Sequence, residues 1–251
     1  MRFPVVRGNI KRRMLINFRV DAAVMQKVLP APFRPKLHEG CAVAGICLIR
    51  LEGIRPAGFP RWAGFASENA AHRIAVEWEK QPSGEKCEGV FIPRRDTGSW
   101  VNHVGGGRVF PGEHHMARFR VVDDGCRVEF SMESRDKAVR VSLCGFESDA
   151  LPSSSCFASV AESSRFFENG SLGYSVSRDA GHLDGLRLET HDWRVRGLTI
   201  ERVESSFFAD RARFPDGSVE FDHALMMRDI QHEWHQVPPM FVGATKREGE
   251  R

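Results

Sequence analysis

Near the middle of the chain stands the stretch Gly105-Gly106-Gly107-Arg108-Val109-Phe110-Pro111-Gly112-Glu113-His114-His115. Its three glycines allow backbone conformations that are closed to other residues. The aromatic-proline pair that follows fixes a bend, because proline locks its own φ and restricts the residue before it. A carboxylate and two imidazoles come next, where an alternating strand pattern begins. We therefore expect this stretch to form the rim of a pocket.

The chain on both sides of this stretch has the pattern of β-strands. Residues 41–51 are apolar on both faces for much of their length, which predicts a central strand. Residues 115–122 alternate, Asp123-Asp124-Gly125 offers hairpin chemistry, and residues 126–133 return. The other predicted strands are 14–20, 65–69, 72–79, 87–93, 138–146, 172–177, 185–190, 193–200 and 203–208.

Two helices are predicted between these strands. Asp21 is placed to cap a short helix over 22–29, which ends before a pair of prolines. The serines at 153–155 are placed to cap the longer helix over 156–168, and the Asn-Gly pair after it is a common helix stop. Few helices among many strands predict a β-rich α+β fold with a large, curved, antiparallel and barrel-like sheet.

The length and composition favour one globular domain. The chain has 251 residues, 41% of them hydrophobic and 27% charged, and it shows no internal repeat or linker. We expect a single domain with a core over about residues 11–240 and a frayed charged tail at 246–251.

Charge and cysteine patterns exclude several classes of protein. The net charge of +3 is small and dispersed, with no basic stripe for nucleic acid. No stretch approaches the ~20 apolar residues of a membrane span, and the basic N-terminal segment has no apolar core of a signal peptide. The cysteines are scattered without a Cys-x-x-Cys pair, which is typical of reduced core residues. The sequence therefore predicts a cytoplasmic protein.

Four short segments resemble, in order, segments of acetoacetate decarboxylase and its relatives. They extend over about residues 11–230 and imply that family's curved β-rich fold. These segments are Phe18-Arg19-Val20-Asp21 with Lys27-Val28-Leu29-Pro30-Ala31-Pro32, then Ser67-Glu68, Phe110-Pro111, and Phe221-Asp222-His223-Ala224.

The resemblance breaks at the residue that gives the family its chemistry. In the decarboxylase, a lysine that follows the aromatic-proline pair forms a Schiff base with a β-keto acid, and its amine must be neutral to attack. Here the corresponding places hold Gly112 and Glu113, and neither side chain can form an imine. The resemblance thus implies a retained pocket without its nucleophile.

The remaining candidate site residues follow from the resemblance and from strand geometry. Glu68 and Glu88 fall where the family has pocket carboxylates, and Glu113 stands beside the two histidines. His114 and His115 are adjacent, so on a strand only one of them faces the pocket, where it would carry a proton. The expected substrate-binding residues are Lys11, Arg12, Arg73 and Phe110. Lys11 is also the best substitute amine if it points inward.

Three functions remain open at this stage. The leading interpretation is a pocket for a small organic acid or oxo compound, with lyase or hydrolase-type acid-base chemistry and neither cofactor nor metal. The second is a non-catalytic module that binds an apolar small molecule, because eighteen phenylalanines stand against a single tyrosine. The third is metal-assisted hydrolysis by His232 and His235 with His103 or His223. A homo-oligomer is compatible with all three.

Overall fold

A computed structural model describes residues 4–80, 82–107, 111–168 and 170–242 of the chain. In chain order, its regular elements are β1 (Val6–Val20), α1 (Ala22–Val28), β2 (Arg34–Pro35), β3 (Leu37–His38), β4 (Cys41–Pro56), β5 (Phe65–Lys80), β6 (Glu85–Thr97), α2 (Trp100–Gly105), β7 (His114–Asp123), β8 (Arg127–Ser134), β9 (Arg140–Ser148), α3 (Val160–Glu168), β10 (Leu172–Val176), β11 (His182–Thr190), β12 (Arg196–Ser205) and β13 (Val219–Phe241). No helix in these ranges is long and apolar enough to cross a membrane.

All the strands belong to one sheet, which closes on itself twice. Strands β13, β1, β4, β5 and β6 form a shared wall of five neighbours. Strands β10 and β11 close a first ring from β6 back to β13. Strands β7, β8, β9 and β12 close a second ring between the same two edges. The predicted β-rich, barrel-like single domain is confirmed, although β6 pairs in parallel with both β7 and β10.

The shared wall has one face inside each ring, so successive side chains alternate between two interiors. On β5, Ala70 and Ile74 enter the main apolar core inside the second ring. Ala71 and Arg73 face the first ring. The predicted strand over 41–51 is apolar on both faces for this reason, since β4 lies in the middle of the wall.

An irregularity in β6 changes this alternation. Ile74 on β5 pairs with Phe91, while His72 pairs with Arg94, so one residue on β5, Arg73, opposes two on β6, Ile92 and Pro93. The extra residue is a β-bulge next to Pro93, where a proline is tolerated because the hydrogen-bond ladder is interrupted. As a result, Ile92 and Arg95 both face the first ring.

The two predicted helices form, but only the first begins where we expected. Asp21 caps α1 by accepting a hydrogen bond from the Val24 amide at 2.9 Å. Helix α3 begins at Val160, four residues later than predicted. The Ser159 hydroxyl accepts from the Glu162 amide, as the side chain of an N-cap residue does, and the Glu162 carboxylate accepts from the Ala158 amide. The prediction of a cap at 153–155 was therefore wrong.

The longest strand, β13, was not predicted at all, and the predicted strand over 203–208 ends at Ser205. Strand β13 holds 23 residues and borders β1 along most of its length. Its sequence carries Asp222, His223 and His232, which are buried polar residues in a segment without clean alternation. The predicted tail at 246–251 lies outside the described residues.

His72 is an uncompensated polar residue inside the second ring. Its side chain is fully buried and packs 4.4 Å from the ring of Phe207, centroid to centroid. Neither ring nitrogen has a hydrogen-bond partner among the described residues. Burial, with smaller contributions from Arg94 and Arg213, lowers the pKa of His72 to about 3. The folded protein therefore keeps this imidazole neutral at a free-energy cost.

We expect His72→Leu to stabilise the fold by about 1–3 kcal/mol at pH 7.5, the typical cost of a buried polar group without a partner. Between pH 6.5, the ordinary pKa of histidine, and about pH 3, His72 binds a proton in the unfolded state and not in the folded state. The wild type therefore loses about 1.4 kcal/mol per pH unit through this residue as the pH falls below 6.5, and His72→Leu does not. Urea unfolding at pH 7.5 and pH 5 measures both effects. Exposed His191→Leu is the control, and an unchanged midpoint for His72→Leu contradicts the prediction.

Candidate functional site

A cavity of about 190 Å³ occupies the interior of the first ring. Every strand of that ring contributes to its lining, and the ends of α2 and α3 contribute as well. The apolar part of the wall is formed by Val6, Ile49, Leu51, Ile54, Val90, Ile92, Leu186, Leu188, Trp193 and Trp234. The polar part is formed by Arg13, Cys47, Ser67, Asn69, Arg73, Arg95, Asp96, Asn102, His114, Glu168, Ser171 and Thr190.

Three arginines from adjacent parts of the wall enter this cavity. Arg73 of β5 is 5% exposed, donates from Nη2 to Asn17 Oδ1, and lies 4.3 Å from the ring centre of Phe167. Arg95 of β6 donates from Nε to the Ser175 hydroxyl at 2.9 Å. Arg13 of β1 donates from Nε to the Cys47 sulfur at 3.3 Å. All three bind neutral groups.

In the described part of the chain these arginines form no ion pair, although the Asp184 carboxylate is near enough to Arg95 to raise its pKa slightly against the effect of burial. Neither Arg13, Arg73 nor Arg95 forms an ion pair with a carboxylate there, and the buried atoms Arg13 Nη1 and Arg73 Nε have no hydrogen-bond partner. Burial lowers the pKa of Arg73 to about 10 and that of Arg95 to about 10. Both guanidinium groups therefore remain protonated at neutral pH, and the cavity is a cationic, partly desolvated site.

Neutral amide and hydroxyl groups line the wall where β5 and α2 meet. Asn69 donates to the Ser67 hydroxyl at 2.9 Å and accepts from the Thr97 hydroxyl at 2.7 Å. Asn102 of α2 donates to Asn69 Oδ1 at 3.1 Å and reaches Ser67 Oγ at 3.3 Å. This network fixes side chains that offer hydrogen bonds without adding charge.

The two adjacent histidines lie on opposite sides of β7. His114 lines the cavity, while His115 is one-third exposed and its Nδ1 lies 3.6 Å from Asp136. Burial and the neighbouring Arg95 lower the pKa of His114 to about 3. Its Nδ1 lies 2.9 Å from the Gly112 carbonyl, which can only accept, so Nδ1 carries the proton. Neutral His114 therefore keeps Nε2 as an acceptor.

Gly112, where the resemblance predicts that a lysine has been lost, has no room for a longer side chain. Gly112 has a φ of +85°, and a Cβ atom would stand 2.8 Å from the Ser175 Cβ. Its amide donates to Asp184 Oδ2 at 2.8 Å. Glu113 lies beside a separate recess of about 20 Å³ with His115, outside the large cavity. Phe110, the predicted aromatic wall residue, lies outside the described residues.

The two predicted pocket glutamates lie away from the cavity. Glu68 has the opposite orientation to Ser67 and Asn69 on β5, and its carboxylate receives Arg12 Nη2 at 2.9 and 3.0 Å. Glu88 is at the far end of β6, 40% exposed, and pairs with Lys36 at 2.7 Å. Glu68 points away from the cavity because side chains alternate along β5. Glu88 lies away from it because this end of β6 extends beyond the first ring.

Of the predicted cations, the structure brings only Arg73 into the cavity. Arg12 is committed to Glu68 and also approaches Asp123 at 3.4 Å. Lys11 points outward and pairs with Asp229 at 2.8 Å, with half of its side chain exposed. No described lysine lines the cavity. Sequence reasoning missed Arg13 and Arg95. Both side chains point toward the first ring, but the face of a strand that points there can be recognised only once the shared wall is known.

A buried polar chain behind Arg73 was also missed. His223 Nδ1 lies 2.5 Å from Asp222 Oδ2, and Nε2 lies 2.6 Å from the Ser163 hydroxyl and 3.0 Å from Asn17 Nδ2. The order of groups matches a serine, histidine and aspartate triad. However, Ser163 is fully buried and does not line the cavity, so no substrate in the cavity reaches it. His223 lies in strand β13.

The histidines proposed for a metal site are not brought together. His235 pairs with Glu233 at 3.1 Å, and His103 Nδ1 lies 2.6 Å from the His114 carbonyl oxygen. Within the described ranges, no group of three His, Cys, Asp or Glu side chains is arranged to hold a metal ion.

Comparison with solved structures places this fold among the acetoacetate decarboxylases. An acetoacetate decarboxylase from Legionella pneumophila superposes with a TM-score of 0.57 at 10% identity, over 95% of this chain and 87% of that one. An acetoacetate decarboxylase-like enzyme from Sphingomonas wittichii RW1 gives 0.56 at 12%, over 95% and 94%. The enduracididine biosynthesis enzyme MppR gives 0.56 at 12%, over 96% and 91%. At these identities the likeness establishes the fold alone.

The sequence itself matches one family over most of its length. The profile of DUF2071, described as an uncharacterized conserved protein, covers residues 9–227. No curated protein sequence is similar enough to count as a relative. The resemblance inferred from four short segments is confirmed at the level of the fold. The chain therefore belongs to the DUF2071 family and has the acetoacetate decarboxylase-like fold.

Proposed function

We propose that this protein binds a small organic acid or oxo acid in the cavity of the first ring, with the ligand carboxylate on Arg13, Arg73 and Arg95. One observation carries the proposal: three arginines enter a cavity in which no described carboxylate, including Asp96 and Glu168 of its own lining, forms an ion pair with them. Buried charges are normally paired, because an isolated one is costly. An anionic ligand supplies the missing partner.

The unpartnered donors are suited to a carboxylate. Guanidinium groups bind carboxylates through directed, charge-assisted hydrogen bonds, each worth about 1.5–3 kcal/mol. Arg73 Nε and Arg13 Nη1 are donors of this kind. Asn69 and Asn102 offer neutral hydrogen bonds to a carbonyl or hydroxyl oxygen of the same ligand. The apolar wall formed around Ile54, Leu186 and Trp234 is left for its carbon chain.

A neighbour in fold supports this choice of ligand. MppR is described in complex with pyruvate, a small 2-oxo acid. Its backbone follows that of this chain over 96% of the residues. Since the identity is 12%, this supports the scaffold's capacity to hold such a ligand and gives no residue roles.

We further propose that any reaction in this cavity proceeds without a Schiff base. No described lysine lines the cavity, and Gly112 has neither the space nor the backbone conformation for one. The group available for proton transfer is His114, whose neutral ring offers Nε2 as an acceptor. Glu68 and Glu88, which sequence reasoning offered as acid and base, are bound elsewhere in ion pairs.

The apolar part of the wall favours a second candidate function, which is a module that binds an apolar molecule and catalyses no reaction. Trp193, Trp234 and Leu188 stand on the side of the cavity lined by β11 and β13. A neutral apolar ligand, however, would leave the guanidinium groups without a counter-ion. Native mass spectrometry of the purified protein distinguishes the two by the charge of any molecule retained.

Replacing Arg73 tests the carboxylate site. We expect Arg73→Met to weaken pyruvate binding about 10–100-fold, because it removes one or two charge-assisted hydrogen bonds and keeps the buried volume. Isothermal titration calorimetry measures the affinity. The matched control is Arg118→Met on β7, an exposed arginine outside this cavity. Equal affinities for both variants and the wild type are incompatible with the proposal.

Asn17→Asp provides an independent test that keeps Arg73 in place. Asn17 Oδ1 is the acceptor for Arg73 Nη2, and an aspartate there gives the arginine an internal counter-ion. We expect pyruvate affinity to fall at least about tenfold while the protein remains folded by circular dichroism. Asn17→Ser is the control, because it changes the same contact without adding charge. Unchanged binding in Asn17→Asp contradicts the role of Arg73.

Borohydride trapping tests the absence of a Schiff base. Incubation with acetoacetate or pyruvate and sodium borohydride should leave every lysine unmodified by intact-mass and peptide analysis, because no described lysine amine reaches the cavity. A decarboxylase that forms a Schiff base through its lysine is treated in parallel, to confirm that trapping works. A reduced adduct on any lysine of this chain overturns the proposal.

A further inference from the structure

Cys47 lies at the centre of the three cavity arginines. It pairs across the sheet with Ala71 on β5, and Ala71 pairs with Arg95 on β6, so Cys47 and Arg95 flank a small residue. Arg13 stands opposite Ile49 on one side of Cys47 along β4, and Arg73 stands opposite Gly45 on the other. The strand register thus surrounds one thiol with three guanidinium groups.

The contacts agree with this register. The Cys47 sulfur accepts a hydrogen bond from Arg13 Nε at 3.3 Å. Burial is the main influence on the pKa of Arg73 and of Arg95 and lowers both, while the Cys47 sulfur is the leading influence in the opposite direction. Arg73 itself is 5% exposed, with Nε unpartnered. This second observation indicates a ligand at the thiol.

The other cysteines have different surroundings. Cys156 lies beside Asp222, and burial raises its pKa to about 12. Cys126 is exposed in the turn between β7 and β8. Among the six cysteines, Cys47 alone lines the cavity described above. Reactive cysteines are typically found in electropositive surroundings, and Cys47 has an arginine as its hydrogen-bond donor.

We propose that Cys47 is a nucleophile of the cavity and that Arg13, Arg73 and Arg95 select electrophiles that carry a carboxylate. The inference rests on the anion-binding role proposed above and adds the reacting atom. In the step, the thiol proton passes to solvent and the thiolate attacks an electrophilic carbon. A sulfur–carbon bond forms while the leaving group departs with its electron pair. The ligand class is a small carboxylic acid with an electrophilic carbon near the carboxylate.

Paired alkylating reagents test this selectivity on the native, full-length protein. Iodoacetate and iodoacetamide both form a sulfur–carbon bond and release iodide, and they differ in the charge of the group carried. We expect the ratio of iodoacetate to iodoacetamide rates at Cys47 to exceed the ratio at Cys126 by at least about tenfold. Peptide mass spectrometry under native conditions measures both sites in the same sample, so exposed Cys126 is the internal control.

Two variants sharpen the result. Arg95→Met should lower the Cys47 ratio toward that of Cys126, since one of three cations is lost, while Arg118→Met should leave it unchanged. The proposal is overturned if Cys47 reacts only after denaturation while Cys126 is fully modified, or if the two ratios are equal in the wild type.

A protection experiment separates this inference from the proposed function. Pyruvate should slow alkylation of Cys47 and leave Cys126 unaffected if both proposals hold. Calorimetric pyruvate binding together with an unreactive Cys47 defeats the nucleophile alone. A selective, reactive Cys47 without any pyruvate binding supports the nucleophile and defeats pyruvate as the ligand.

Discussion

The constraint on which this structure depends is the wall of five strands that two rings share. Where the two rings meet, each strand of the wall has an interior on both faces, so few of its residues there have a solvent side on which to place charge. One interior is filled by close-packed apolar side chains from β1, β4, β5 and β7–β9. The other is left partly open and receives three arginines. The site is therefore built from one face of an otherwise buried sheet, and its geometry is inherited from strand register.

Charge in such a wall must be paired or be available to a ligand. On the face toward the second ring the charges are paired: Arg12 forms an ion pair with Glu68, and Arg94 forms ion pairs with Asp96 and Asp136. On the cavity face the charges remain available to a ligand, because Arg73 and Arg95 donate hydrogen bonds to an amide and a hydroxyl. Neutral hydrogen bonds hold the side chains in position without removing their charge. This difference between two faces of the same strands distinguishes structural ion pairs from a recognition site.

Sequence reasoning recovered the fold better than it recovered the site. Alternation, turn residues and the order of four short segments were sufficient for the barrel-like sheet, because those signals are local. The site depends on which face of the wall each residue occupies. Glu68 was chosen although its neighbours Ser67 and Asn69 are the ones that face the cavity. Strand β13 was missed because its buried polar residues are satisfied by partners far away in sequence, such as Asn17 and Ser163 for His223.

The bulge beside Pro93 has a consequence for the amount of positive charge in the cavity. With strict alternation after Ile92, the next residues of β6 to face the cavity would be Arg94 and Asp96, a pair that neutralises itself through two hydrogen bonds. The single extra residue shifts the phase of the strand, so that Arg95 enters instead and brings no counter-charge with it. The positive charge of the cavity therefore depends on the register of β6 as well as on the amino-acid composition. A homologous chain with the same residues but without the bulge would place a neutral ion pair at this point of the cavity, in place of an arginine without an ion-pair partner.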